Sequence, residues 1–184
     1  FVSNYLKGKV VVVTGAAGGF GRLVALKSLE LGASVVCSDI DERALSQLVE
    51  DLNADDSKVF GIKTDVSKLK EVNLLVLETI EKFGQVDVMI NNAGIMPLAF
   101  YADHDSAAEA WDRCIDINIK GVLNGITAVY DHMIDQGRGH VVNLSSIYGN
   151  YPVAGAGVYG ASKAAVNFLS ESLRVESQGK IKVT

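Results

Sequence analysis

Val10–Thr14 is a short run of β-branched residues that opens directly into a glycine-rich turn, Thr14-Gly15-Ala16-Ala17-Gly18-Gly19-Phe20-Gly21. A strand with no polar face must be buried on both sides, which is the condition of a parallel sheet covered by helices. The chain after it keeps the alternation that such a sheet needs. Leu23, Leu26, Leu29 and Leu31 give Arg22–Leu31 a helical apolar stripe, and Gly32 stops it. Further strands are predicted at Ser34–Ser38, Val59–Lys63, Val86–Ile90 and His140–Leu144, and a last helix and strand close the chain. Helices are predicted from about Asp41 to Leu52 and Lys68 to Phe83, with a long helical stretch reaching about Gln136. Asp41 with Glu42 places acid at a helix N-terminus, and Ser106 with Glu109 has the spacing of a capping box. Six short strands separated by helices predict an α/β fold, a doubly wound parallel sheet.

Composition narrows the function classes. A length of 184 residues suits a single domain, here 1–184. A net charge of −5 with no Lys/Arg cluster argues against nucleic acid as a partner. No apolar run reaches the length of a membrane span, and Phe1–Lys9 lacks the order of a secretory signal, so no membrane association and a cytoplasmic location are expected. Cys37 and Cys114 lie inside apolar patterns without metal or redox spacing and read as buried free thiols. His104, His132 and His140 are scattered, and no metal is expected.

Six segments carry chemistry. In the turn between the first strand and helix, Gly15, Gly19, Phe20 and Gly21 would bring backbone and free helix amides against a pyrophosphate. Taken alone, such a turn also suits simple packing of helix on strand. Eighteen residues beyond Gly21 stands Asp39, which suits a solvated turn residue but whose carboxylate can also accept bonds from ribose hydroxyls and repel a ribose phosphate; Ile40 offers that phosphate no cation, although Arg43 is near. The cofactor is therefore expected to be NAD. Asp65 and Val66, after the third strand, could flank the adenine, although Asp65 serves equally as a turn residue. Asn91-Asn92-Ala93-Gly94 follows the fourth strand, with small residues for close backbone approach and amides that can join neighbouring strands. Tyr159 and Lys163 are four apart, hence on one face of a helix, and an ammonium beside a phenol favours the phenolate. Ser145-Ser146 closes the fifth strand, thirteen residues before Tyr159.

In this order the segments resemble the short-chain dehydrogenase/reductase family, across almost the whole chain. Thr14–Gly21 matches its glycine motif, Asn91–Gly94 its NNAG segment, and Tyr159 with Lys163 its YxxxK. The resemblance implies a Rossmann fold and hydride transfer between NAD and a secondary alcohol or ketone. Tyr159 would be the general acid/base, Lys163 would support it and hold the nicotinamide ribose, and Ser146 would orient the substrate oxygen. Asn118 would hold a water in a proton relay. Asn92, Ala93 and Gly94 would border the cofactor. Relatives usually run to about 250 residues, within the single-domain range, so a C-terminal strand and substrate lid are expected to be missing from this sequence. Substrate is expected near Met96, Pro97, Tyr148, Tyr151 and Val153, which carry no charge and suit a neutral molecule. Apolar residues on more than one side of the later helices, Val122, Ile126, Val129, Val166, Phe168 and Leu169, suggest a homodimer or homotetramer. The alternatives are an NADP-dependent ketone reductase, which Asp39 argues against, and a non-catalytic NAD-sensing or scaffold protein, which has no need of Tyr159 and Lys163.

Overall fold

A computed structural model describes residues 4–55 and 57–184. Its six strands are all parallel: β1 (Val10–Thr14), β2 (Ser34–Asp39), β3 (Val59–Lys63), β4 (Val88–Asn91), β5 (Gly139–Asn143) and β6 (Ile181–Val183), in the spatial order β3-β2-β1-β4-β5-β6. Alternate residues of each inner strand enter opposite cores. Val12, Val36, Met89 and Val141 pack under α3 (Leu69–Phe83), α5 (Gly121–Asp135) and α6 (Gly157–Glu176). Val11, Val13, Val35, Cys37, Val88 and Ile90 pack under α1 (Gly19–Glu30) and α2 (Glu42–Leu52). This is the doubly wound single domain expected from strands lacking a polar face.

The order matters for function because the chain leaves β1 toward β2 on one side and returns to β4 on the other. The loops after β1 and β4 therefore diverge, and a crevice opens between them at the carboxyl ends of the strands.

Several local expectations are met and several corrected. Asp41 caps α2, its Oδ1 accepting the Ala44 amide at 3.0 Å. The leucine stripe of α1 is only partly its buried face: Leu29 packs against the core, but Leu23 and Leu26 are 61% and 42% exposed, and Gly21, Ala25 and Ser28 face inward. The glycine turn holds α1 so close to the sheet that only small residues fit between. Ser106 is not an N-cap; α4 (His104–Ile115) starts two residues earlier, and the Ser106 hydroxyl donates to the Asp103 carbonyl at 3.0 Å. Val86 stays outside β4 because its amide and carbonyl bond to His132 and Gln136 side chains instead of a strand. The long predicted helix is interrupted at Asp116–Lys120 by a π-helical turn between α4 and α5. Val122, Ile126, Val129 and Val166 are buried in this domain's own core, so of the apolar residues cited for self-association only Phe168, 74% exposed, is open. Both cysteines are buried and free, and burial pushes the Cys37 thiol up to about 12. Among the described residues no helix is long and apolar enough to cross a membrane.

Candidate active site

A cavity of about 550 Å³ occupies the crevice. Its first wall is the turn after β1. Gly15 has φ +63°, and a Cβ there would lie 2.8 Å from the Ala93 Cα; at Gly21 it would lie 2.0 Å from the Gly15 carbonyl oxygen. Only glycine allows the first strand, the helix and the β4 loop to meet so closely. The contact is laced by polar bonds. Thr14 Oγ1 accepts the Asn92 and Ala93 amides at 3.1 and 3.2 Å and donates to the Ile90 carbonyl, while Asn92 Nδ2 donates to the Thr14 and Gly15 carbonyls at 2.9 and 3.0 Å. No side chain caps the start of α1, so its first amides are left for an acceptor in the cavity, which Gly18, Gly19 and Phe20 line. Gly21 lies beneath this wall without lining it.

The second wall is formed by the ends of β2 and β3. Asp39 lines the cavity with Ile40, and its carboxylate accepts the Ala17 amide at 2.9 Å and the Asp41 amide at 3.1 Å. It thus braces the glycine turn from the side. Thr64, Asp65 and Val66 complete this end. Burial works to raise the Asp65 carboxyl, but hydrogen bonds from Ser67 and Lys68 outweigh it and hold the group below the usual carboxylate range. Asp65 is therefore a turn residue that also borders the cavity. The Val66 carbonyl accepts Asn124 Nδ2 at 2.8 Å, a tether from α5 that no sequence pattern marks.

Tyr159 and Lys163 project from α6 into the opposite end, beside Ala93, Gly94, Ile95 and Met96. Lys163 is 5% exposed; its Nζ donates to the Leu144 carbonyl at 2.7 Å and lies 5.8 Å from the Tyr159 ring centroid. Burial pushes the Lys163 ammonium below its usual range, opposed by attraction to the Cys114 sulfur. Ser145 lines the cavity, but its hydroxyl donates to the Lys163 carbonyl at 3.1 Å. Ser146 does not line it; its Oγ accepts the Tyr148 amide at 3.2 Å at the head of the turn Ile147–Gly149. Its own proton has no acceptor among the described residues.

Asn118 does not line the cavity. It sits in the π-helical turn, wholly buried, with its side chain bonded to both backbone atoms of Ile95 at 2.9 Å and to Ser162 Oγ at 3.0 Å. Its side chain is spent on holding the β4 loop. Of the expected substrate residues, Met96 lines the cavity, Tyr148, Tyr151 and Val153 line a second cavity of about 600 Å³ with Phe100 and Tyr101, and Pro97 lines neither of these two. The two spaces are neighbours, for the Tyr148 and Tyr159 rings meet edge to face at 6.2 Å. Asn91 is an internal strut: its Nδ2 donates to Asn143 Oδ1 at 2.8 Å, joining β4 to β5.

The sequence of residues 9–184 matches the model of the short chain dehydrogenase family. The chain belongs to that family. An uncharacterized oxidoreductase of Listeria monocytogenes is 41% identical over 172 residues, covering 94% of this chain and 68% of its own length. A short-chain dehydrogenase/reductase of Burkholderia phymatum, solved in complex with NAD, superposes with a TM-score of 0.90 at 36% identity, over 96% of this chain and 64% of its own. A Mycobacterium smegmatis short-chain dehydrogenase superposes with a TM-score of 0.91 at 32% identity, over 98% of this chain and 76% of its own. This chain thus spans 64–76% of the length of these three relatives.

Proposed function

We propose that the chain carries an NAD-dependent oxidoreductase site that interconverts a secondary alcohol and a ketone, with Tyr159 as general acid/base. The observation that carries this reading is that one crevice joins the glycine turn and Asp39 at one end to Tyr159 and Lys163 at the other. The residues fit a dinucleotide: uncapped amides of α1 face one part, Gly15 and Gly21 leave the room that side chains would fill, and Asp39 stands at the end of β2. A nicotinamide bound there would take or give the hydride.

The chain's own groups handle the proton. In alcohol oxidation the Tyr159 phenolate takes the hydroxyl proton, and in ketone reduction the phenol returns it to the oxygen. The Lys163 ammonium, held by the Leu144 carbonyl, would support Tyr159 from the same face of α6. Ser146 has a proton to donate to the substrate oxygen once that oxygen is in reach. Apolar and aromatic groups such as Met96 and Tyr148 favour a neutral substrate.

Asp39 supports NAD over NADP, because its carboxylate would lie against an added phosphate. Calorimetric titration of both cofactors into wild type and Asp39→Ala tests this. The expected result is a preference for NAD that falls by about tenfold or more in the variant, the scale of one charged hydrogen-bonding group. Equal affinity of the wild type for both cofactors would remove the assignment.

A further inference from the structure

Ser162 stands immediately before Lys163 and has no exposure to solvent. Its hydroxyl donates to the Tyr159 carbonyl at 2.7 Å and accepts Asn118 Nδ2 at 3.0 Å. Asn118 in turn holds Ile95 at both backbone atoms, its Oδ1 accepting the amide and its Nδ2 donating to the carbonyl, each at 2.9 Å. A path therefore runs from the backbone of Tyr159, through Ser162 and Asn118, to the Gly94–Ile95 loop, which lines the same end of the cavity. The path passes close to the reacting end: a Cβ at Gly94 would lie 3.2 Å from Asn118 Oδ1 and 3.5 Å from Lys163 Nζ.

The chemistry of the Asn118 amide makes Ser162 hard to replace. The amide has two hydrogens, one for the Ile95 carbonyl and one for Ser162. The remaining acceptor nearby is Cys114 Sγ at 3.4 Å, and a thiol accepts weakly. The π-helical turn carrying Asn118 departs from regular helix bonding, so its side chains bear more of its position.

We propose that Ser162 is a positioning residue that, through Asn118, fixes the Gly94–Ile95 loop relative to Tyr159. For catalysis this rests on the oxidoreductase reading above. For position it stands on the hydrogen bonds alone.

Two measurements on Ser162→Ala test it. In amide hydrogen exchange followed by NMR, the Ile95 amide should exchange about tenfold faster, the order of one buried hydrogen bond, while the Val12 amide in β1 keeps its wild-type rate. In steady-state kinetics kcat should fall about tenfold on the same ground. The Ser162→Ala/Asn118→Ala double variant should be no slower than Asn118→Ala, because residues acting along one path do not add. An unchanged Ile95 rate, an equal acceleration at Val12, or additive kinetic effects would overturn the proposal. If wild type turns over no secondary alcohol, the oxidoreductase reading falls and the exchange measurement alone decides for Ser162. Ser162→Cys keeps the site filled while bonding weakly; it should show the same exchange pattern and serves if Ser162→Ala does not fold.

Discussion

A single methyl added at Gly21 would lie 2.0 Å from the Gly15 carbonyl oxygen and 2.6 Å from Asn92 Nδ2, where ordinary contact begins at 3.4 Å. The Gly15 carbonyl cannot retreat easily, because Gly15 itself lies close to Ala93, where even a Cβ on Gly15 would come within 2.8 Å of the Ala93 Cα. Helix α1 must therefore shift outward, or the Asn92 bonds to Thr14 and Gly15 must break. Overpacking costs about 1–3 kcal/mol and each lost bond about 1 kcal/mol, offset by less than about 1 kcal/mol of helix propensity. Gly21→Ala should therefore lose roughly 2–4 kcal/mol, a large part of the ~5–15 kcal/mol typical of a domain. Urea unfolding reads the loss as a lower midpoint at unchanged slope, and NAD calorimetry should show weakened binding as the turn distorts. Gly18→Ala is the comparison: nothing lies within 4 Å of its Cβ, so it should cost under about 1 kcal/mol. A Gly21→Ala protein as stable as wild type would refute the close-approach account of the turn.

Two further outcomes follow from the structure. His140, held between the Tyr5 hydroxyl and Thr184 Oγ1, is pushed down from 6.5 to about 4, first by burial and then by Lys182 and Lys9. The unfolded chain binds its proton more readily, so this contribution is complete above pH 6.5 and is lost as pH falls toward about 4. It amounts to at most on the order of 3 kcal/mol; the wild type should lose that much more stability than His140→Asn across this window, and parallel pH profiles would contradict it. Phe168 and Val175, 74% and 76% exposed and two helical turns apart on α6, are expected to bury against a second copy. Phe168→Glu should then lower the mass seen by light scattering, whereas a monomeric wild type would dismiss the interface.

The strands were legible because a parallel sheet buried on both faces favours apolar, β-branched runs; β1 begins and ends where such a run does, and β3 spans the predicted Val59–Lys63. The glycine turn, Asp39, Tyr159 and Lys163 were legible as spacings relative to strands and helices, and the crevice brings them together. What was not legible depends on distance rather than pattern. The buried face of α1 is set by its close approach to the sheet, which overrides the leucine periodicity. That the Asn118 side chain bonds to Ile95 depends on the π-helical turn that carries it. Ser162 and Asn124 had no signature at all, since a hydroxyl or amide on a helix gives no sign of which carbonyl lies across from it. Pro97, Tyr148, Tyr151 and Val153 were grouped by their place in loops, and the structure puts the last three around a separate cavity.

Turnover by Tyr159→Phe beside wild type, read from nicotinamide absorbance with a panel of secondary alcohols and with NAD binding measured in parallel, tests the central claim most directly. The account predicts that the variant binds NAD as wild type does while turnover falls by about 10²–10⁴-fold, the range of a lost general acid/base. Turnover at the wild-type rate without the phenol would contradict it.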